Sequence, residues 1–83
     1  MSAGADYDGE PIWRLPRYRK HAIARERCFR GTVSLDIREW HGDNGESATG
    51  KGISIPRNAV RSLAIALLAY ADKVDAQASE YRP

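Results

Sequence analysis

Polar and apolar residues alternate most clearly between Thr32 and Trp40. Val33, Leu35, Ile37 and Glu39 fall on one side of an extended chain, and Ser34, Asp36, Arg38 and Trp40 on the other, because successive side chains of a strand point to opposite faces. One face is apolar over three positions and needs a core. The other is polar and sets an arginine beside an aromatic. Gly42-Asp43-Asn44-Gly45 follows, and Asn-Gly is a strong hairpin signal because both residues tolerate positive φ. A second short strand, Gly52 to Ile55, is expected to return antiparallel to the first. From Pro56 the period changes from 2 to 3.6: Val60, Leu63, Leu67, Tyr70 and Val74 form one stripe. The spacing predicts a helix from Pro56 to Ala78, with proline at the first turn, where its missing N–H costs nothing. Ala59, Ala64, Ile65, Ala66, Leu68, Ala69 and Ala71 leave little polar surface in the middle turns. A helix apolar nearly all round needs cover on two sides, and one sheet supplies one. A second copy of the chain is the expected second cover; the alternative is an alanine-rich helix of ordinary one-sided amphipathicity.

Upstream the pattern weakens. Residues 1–13 contain Asp6, Asp8 and Glu10, no base and no periodicity, and read as a disordered acidic tail. Pro16 interrupts any helix or central strand in the basic, aromatic stretch that follows. The segment HAIARERC, His21 to Cys28, fits a helical turn or a strand. The expected organisation is one domain over residues 14–79 with a basic N-terminal arm, and a frayed end at 80–83. An 83-residue chain of net charge +2 has room for one small domain. The charge is unevenly spread: residues 1–13 carry −3, residues 14–30 carry +6 and residues 31–83 carry −1. A local basic arm points to a polyanionic partner. Cys28 is the single cysteine, so no internal disulfide forms, and a reducing, cytoplasmic setting fits. The first 20 residues lack the apolar segment of a signal peptide. The longest apolar run, Leu63 to Ala71, falls short of the ~20 residues that span a bilayer.

Candidate chemistry is sparse. Gly45 to Gly52 nearly matches the phosphate loop GxxxxGK[ST], but Gly52 stands where the magnesium-binding hydroxyl belongs, and a strand follows where a helix should. Lys51 between two glycines remains a mobile contact for phosphate. His21, Cys28 and His41 lack metal-site spacing, so two surface histidines and a small buried thiol are expected, with no metal and no cofactor. Asp36 and Glu39 point to opposite strand faces and make no acid–base pair, so no enzyme is expected. Cations interleaved with aromatics do stand out: Arg27, Phe29 and Arg30 before the strand, Arg38 and Trp40 on its polar face, Lys51 after the hairpin. Single-stranded nucleic acid is bound by aromatics that stack on bases and cations that follow phosphates. Spacing leaves a second reading open, in which Phe29 and Trp40 close the edge of the core and the arginines solvate it.

Phe29-Arg30-Gly31, Asp36-Ile37-Arg38-Glu39-Trp40, a glycine- and acid-bearing turn, and Lys51-Gly52-Ile53-Ser54 closely resemble the C-terminal domain of the positive cofactor four family of transcriptional coactivators. The resemblance implies an α+β fold, a curved four-stranded antiparallel sheet followed by one C-terminal helix, with a homodimer packed through the helices. It makes His21 to Cys28 a strand and places Val60, Leu63, Leu67 and Tyr70 in the dimer interface. It implies sequence-tolerant binding of single-stranded or melted DNA, in transcription or in protecting exposed strands. Phe29 would stack on a base, Arg30, Arg38 and Lys51 would meet phosphates, and Gly52 would allow close backbone approach. Arg27 and Lys20 would add charge. Two positions depart from the family pattern. Thr32 replaces a lysine, and the aromatic pair after the DIRE motif is Trp40-His41, so stacking falls to either of them. The long regulatory extension of the eukaryotic members is not expected. The alternatives carried beside this reading are an RNA-preferring version and a dimeric protein-interaction module of a transcription complex.

Overall fold

The computed structural model describes residues 5–80. Four strands, β1 (Tyr7–Leu15), β2 (Lys20–Phe29), β3 (Thr32–His41) and β4 (Ser47–Pro56), precede one helix, α1 (Arg57–Glu80). They form one antiparallel sheet in the order β1-β2-β3-β4, as the family resemblance implies. β2 takes the extended form, paired residue for residue with β3 from Lys20↔His41 to Phe29↔Thr32.

β1 corrects the expected tail. Residues 7–13 lie in a strand, while residues 1–4 fall outside the described residues, as do 81–83 of the expected frayed end. Pro11 is tolerated because β1 is an edge strand; the register shifts on either side of it. Side chains tie the strand down. Tyr7 Oη donates to Glu26 (2.7 Å), Arg27 pairs with Asp8 (3.0 Å), and Arg25 donates to the Gly9 carbonyl (3.3 Å). Glu26 also takes Arg57 at 2.8 Å, which joins β1 and β2 to the start of α1. That arginine hydrogen bond, with the tyrosine's, holds the Glu26 carboxyl below the usual carboxylate range. Its folded pKa is depressed, so the contribution is present above the unfolded value and lost as the pH falls through the folded one. Melting temperature should therefore fall less on acidification in Glu26→Gln than in the unsubstituted chain, which a pH series of thermal melts reads directly.

The hairpins are set by left-handed residues. Arg30 (φ 52°) and Gly31 (φ 80°) make a two-residue turn between β2 and β3, with positive φ at both centres, the form that matches strand twist. Between β3 and β4 the positive φ falls on Gly42 and Gly45, not on Asn44. Gly45 N–H closes the turn onto the Gly42 carbonyl at 3.1 Å. The connection is therefore a five-residue one, Gly42 to Glu46, and not the expected Asn-Gly pair.

β4 starts five residues before the expected Gly52. Arg38 faces Gly52 and Trp40 faces Ala48, so Thr49, Gly50 and Lys51 bulge opposite the single residue Glu39. Thr49 Oγ1 donates to the Glu39 carbonyl (2.8 Å) and accepts from Lys51 N–H (3.1 Å), which fixes the bulge. Bulges bend the strand that carries them, and both outer strands here have one.

Both faces of the sheet bury residues. Ala24 and Cys28 of β2 are buried on the apolar face, opposite Ile37 and Val33, but on β3 itself the buried positions fall on the face expected to be polar. Asp36 and Trp40 on the nominally polar face are buried, at 0% and 7% exposure, with Ile23 from β2 at 0% beside them. Val33, Leu35 and Ile37 are only half-buried. The polar face closes because its charges pair. Asp36 receives Arg38 through Nε (3.0 Å) and Nη2 (2.9 Å) and Ser54 Oγ at 3.3 Å, while Arg38 Nη1 donates to the Thr49 carbonyl at 2.8 Å. Among the described residues α1 meets the sheet at β3 and β4, and of its side chains Ala59, Val60 and Leu63 in the first turns are half-buried.

Candidate nucleic-acid interface

The residues expected at the site separate into three groups. The first lies at the β2–β3 turn. Phe29 is 53% exposed, and the Arg30 guanidinium sits 5.1 Å from its ring centroid. An open cleft beside them, lined also by Thr32, Ser34 and Arg57, gives the ring room to meet a flat partner. Arg30 is held in the left-handed region at φ 52°, which costs a residue with a side chain roughly 1–2 kcal/mol. Asp6 steadies it by accepting the Arg30 backbone N–H at 2.8 Å, leaving the guanidinium outside.

The second group lies at the other end of β2, whose ten residues at ~3.3 Å each separate the two by about 30 Å. Here Lys20 and Lys51 meet on a cleft of about 570 Å³, lined also by Leu15, Arg17, Tyr18 and Ala22. His41 is half-exposed nearby, its Nε2 lying 3.3 Å from the Glu39 carboxylate. The pair explains an acid on an otherwise apolar face.

The third group is engaged by contacts within the chain itself. Trp40 is not on an exposed face: its ring is buried under the Arg25 guanidinium, 4.4 Å from the centroid, a cation–π contact made within the fold. Arg38 is spent on Asp36 and Thr49, and Asp36 holds its guanidinium more firmly protonated than usual through their hydrogen bonds. Arg27 is paired with Asp8. Gly52 does permit a close approach, but of the chain to itself. A Cβ there would lie 2.7 Å from the Ile37 carbonyl and 2.8 Å from Arg38 Cα. His21, expected at the surface, is buried with Nε2 3.1 Å from the Gly42 carbonyl. Among the described residues no cluster of three or more histidine, cysteine, aspartate or glutamate side chains could hold a metal ion, and no helix is long and apolar enough to cross a membrane.

Sequence reasoning passed over Tyr18 and Arg17 as individual residues. Their signal was the alternation of aromatics and arginines in IWRLPRYRK, and the fold brings that stretch against Lys20 and Lys51.

An exposed aromatic under a cation, a second basic cleft and a four-stranded sheet feeding one helix agree with the motif set from Phe29 to Ser54. The family model for transcriptional coactivator p15 (PC4) matches residues 19–66, more than half of the chain. The chain belongs to this family. No curated protein and no solved structure matches it. The p15 (PC4) family is one of nucleic-acid-binding coactivators that bind single-stranded DNA and work with the transcription machinery. The matched span runs from the β1–β2 turn through the first turns of α1. It includes the Phe29–Arg30 pair and Lys20 and Lys51 of the second cluster, but not Arg17 or Tyr18, and it excludes β1, the strand that the sequence pattern did not predict.

Proposed function

We propose that this chain binds single-stranded DNA without sequence preference, as a homodimer joined through α1, in transcription or in protecting exposed strands. The Phe29–Arg30 pair carries the reading. An arginine is kept where glycine or asparagine would relieve the backbone, and strained residues gather at functional sites. Its side chain extends over an exposed aromatic ring, the pairing of base platform and phosphate contact that single strands need. Lys20, Lys51 and His41 supply a second contact region about 30 Å along β2. For the dimer, the support is the helix. Val60 and Leu63, expected at the interface, are half-buried in the chain's own fold, whereas Leu67 and Tyr70 are exposed together with Ile65, Leu68 and Val74.

The test is the fluorescence anisotropy of a labelled ~20-nucleotide single strand against its duplex across a salt series. Tighter binding to the single strand, falling with salt, is expected. Absence of binding to either at low salt would overturn the proposal and turn the exposed clusters into a protein-contact surface.

The same titration separates the two kinds of contact. Phe29→Ala should weaken binding by about 1–3 kcal/mol with the salt slope unchanged, because stacking releases few ions. Lys51→Ala should weaken it less and flatten the slope by about one ion. Identical slopes for Lys51→Ala and the unsubstituted chain would remove Lys51 from the phosphate path.

A further inference from the structure

The β1–β2 turn places an aromatic where the cleft of Lys20 and Lys51 lacks one. Lys20 N–H donates to the Arg17 carbonyl at 3.2 Å, and Arg19 takes the left-handed conformation at φ 56°. Tyr18 is thereby lifted to the apex of a tight turn, 88% exposed. It lines a concave surface whose apolar side chains are Leu15, Ala22 and Ile37 and whose cations are Arg17, Lys20, Lys51 and Arg38, the last of them held by Asp36. The one acid in the same lining, Glu39, faces His41 at 3.3 Å. A flat apolar group beside an aromatic, with anions on either side, is the chemistry of an unstacked base and its flanking phosphates. Trp40, the larger aromatic near this end of the sheet, is buried under Arg25 and cannot stack on a ligand.

We infer that Tyr18 is the base-stacking residue of this end of the sheet, with Arg17, Lys20 and Lys51 holding the phosphates beside the stacked base. The inference rests on the single-stranded DNA reading above and adds a binding subsite to it.

Anisotropy titration of a labelled single strand with the unsubstituted chain, Tyr18→Ala and Tyr18→Phe tests it. Tyr18→Ala should bind between about fivefold and about a hundredfold more weakly, with an unchanged salt slope, and Tyr18→Phe should bind within about twofold of the unsubstituted chain. A strand with abasic nucleotides should abolish the difference between Tyr18→Ala and the unsubstituted chain, a result that a purely structural role for Tyr18 would not give. Equal affinity of Tyr18→Ala for the normal strand overturns the inference alone. So does equal weakness of Tyr18→Ala and Tyr18→Phe, which would assign the contact to the hydroxyl. Failure of the unsubstituted chain to bind any single strand overturns the functional reading and this subsite together.

Discussion

Replacing Arg38 by leucine is expected to destabilise the fold by about 3–5 kcal/mol, the usual cost of removing one partner from a buried ion pair. Asp36 is fully buried, and two of its hydrogen bonds come from Arg38; Ser54 alone would remain, at 3.3 Å. The substitution also strips the Thr49 carbonyl of its 2.8 Å donor, so the bulge that presents Lys51 loosens as well. Small domains are stable by only about 5–15 kcal/mol, so this one change removes a large share of the margin. Arg38→Lys should recover part of it at most, because an ammonium cannot reproduce the two-pronged contact. Adding Asp36→Asn to Arg38→Leu should restore some stability, since the orphaned charge is then gone. Urea denaturation of the single and double variants measures all three. An Arg38→Leu chain as stable as the unsubstituted one, yet weaker on DNA, would return Arg38 to the phosphate-binding role that the sequence motif implied.

That reversal shows what alternation along a strand can tell. It separated Val33, Leu35 and Ile37 from Asp36, Arg38 and Trp40 correctly, because the period of two is a property of the extended backbone. It did not say which face would close, because closure depends on pairing across strands. Ile23 lies opposite Arg38 and Arg25 opposite Asp36; these partners lie more than ten residues away and meet only once the register exists. The helix was legible, its observed start at Arg57 one residue from the expected Pro56, because its stripe and its proline are local. β1 was not legible. Its strand is broken by register shifts around Pro11 and held by ties to Glu26, Arg27 and Arg25 that local propensity cannot contain.

The site was legible in its residue types and not in its grouping. Phe29 and Arg30 are adjacent in the sequence and remain together in the fold. Lys20 and Lys51 are joined only by the antiparallel return of β2, β3 and β4, and Tyr18 joins them through the turn that ends at Lys20. Trp40 drew attention by its size and its arginine neighbour, but the arginine that engages it is Arg25 from the adjacent strand.

Leu67→Asp is expected to convert the proposed homodimer to a monomer. α1 has 24 residues, about 36 Å of helix at 1.5 Å per residue. From Ala64 through Ala78 its side chains are exposed, Ile65, Leu67, Leu68, Tyr70 and Val74 among them. A contiguous apolar surface of this kind is characteristic of a protein contact, and a second copy of α1 offers the same surface in return. In a two-fold interface each substitution acts twice. Losing the burial of one leucine costs about 1.5–3 kcal/mol, so the pair should cost about 3–6 kcal/mol, raising the dissociation constant by about two to four orders of magnitude. The introduced carboxylates, brought together without partners, act in the same direction. Sedimentation velocity over a concentration series reads the change, and circular dichroism distinguishes a separated helix from a melted one. The consequence should extend to DNA. A dimer presents two copies of each contact region to one strand, so a monomeric Leu67→Asp chain should lose avidity beyond the affinity of a single copy, while its salt slope falls toward that of one set of phosphate contacts. If the unsubstituted chain sediments as a monomer at every concentration, and Leu67→Asp binds DNA as it does, the exposed stripe of α1 does not join two copies of this chain, and the strand is bound by one sheet alone.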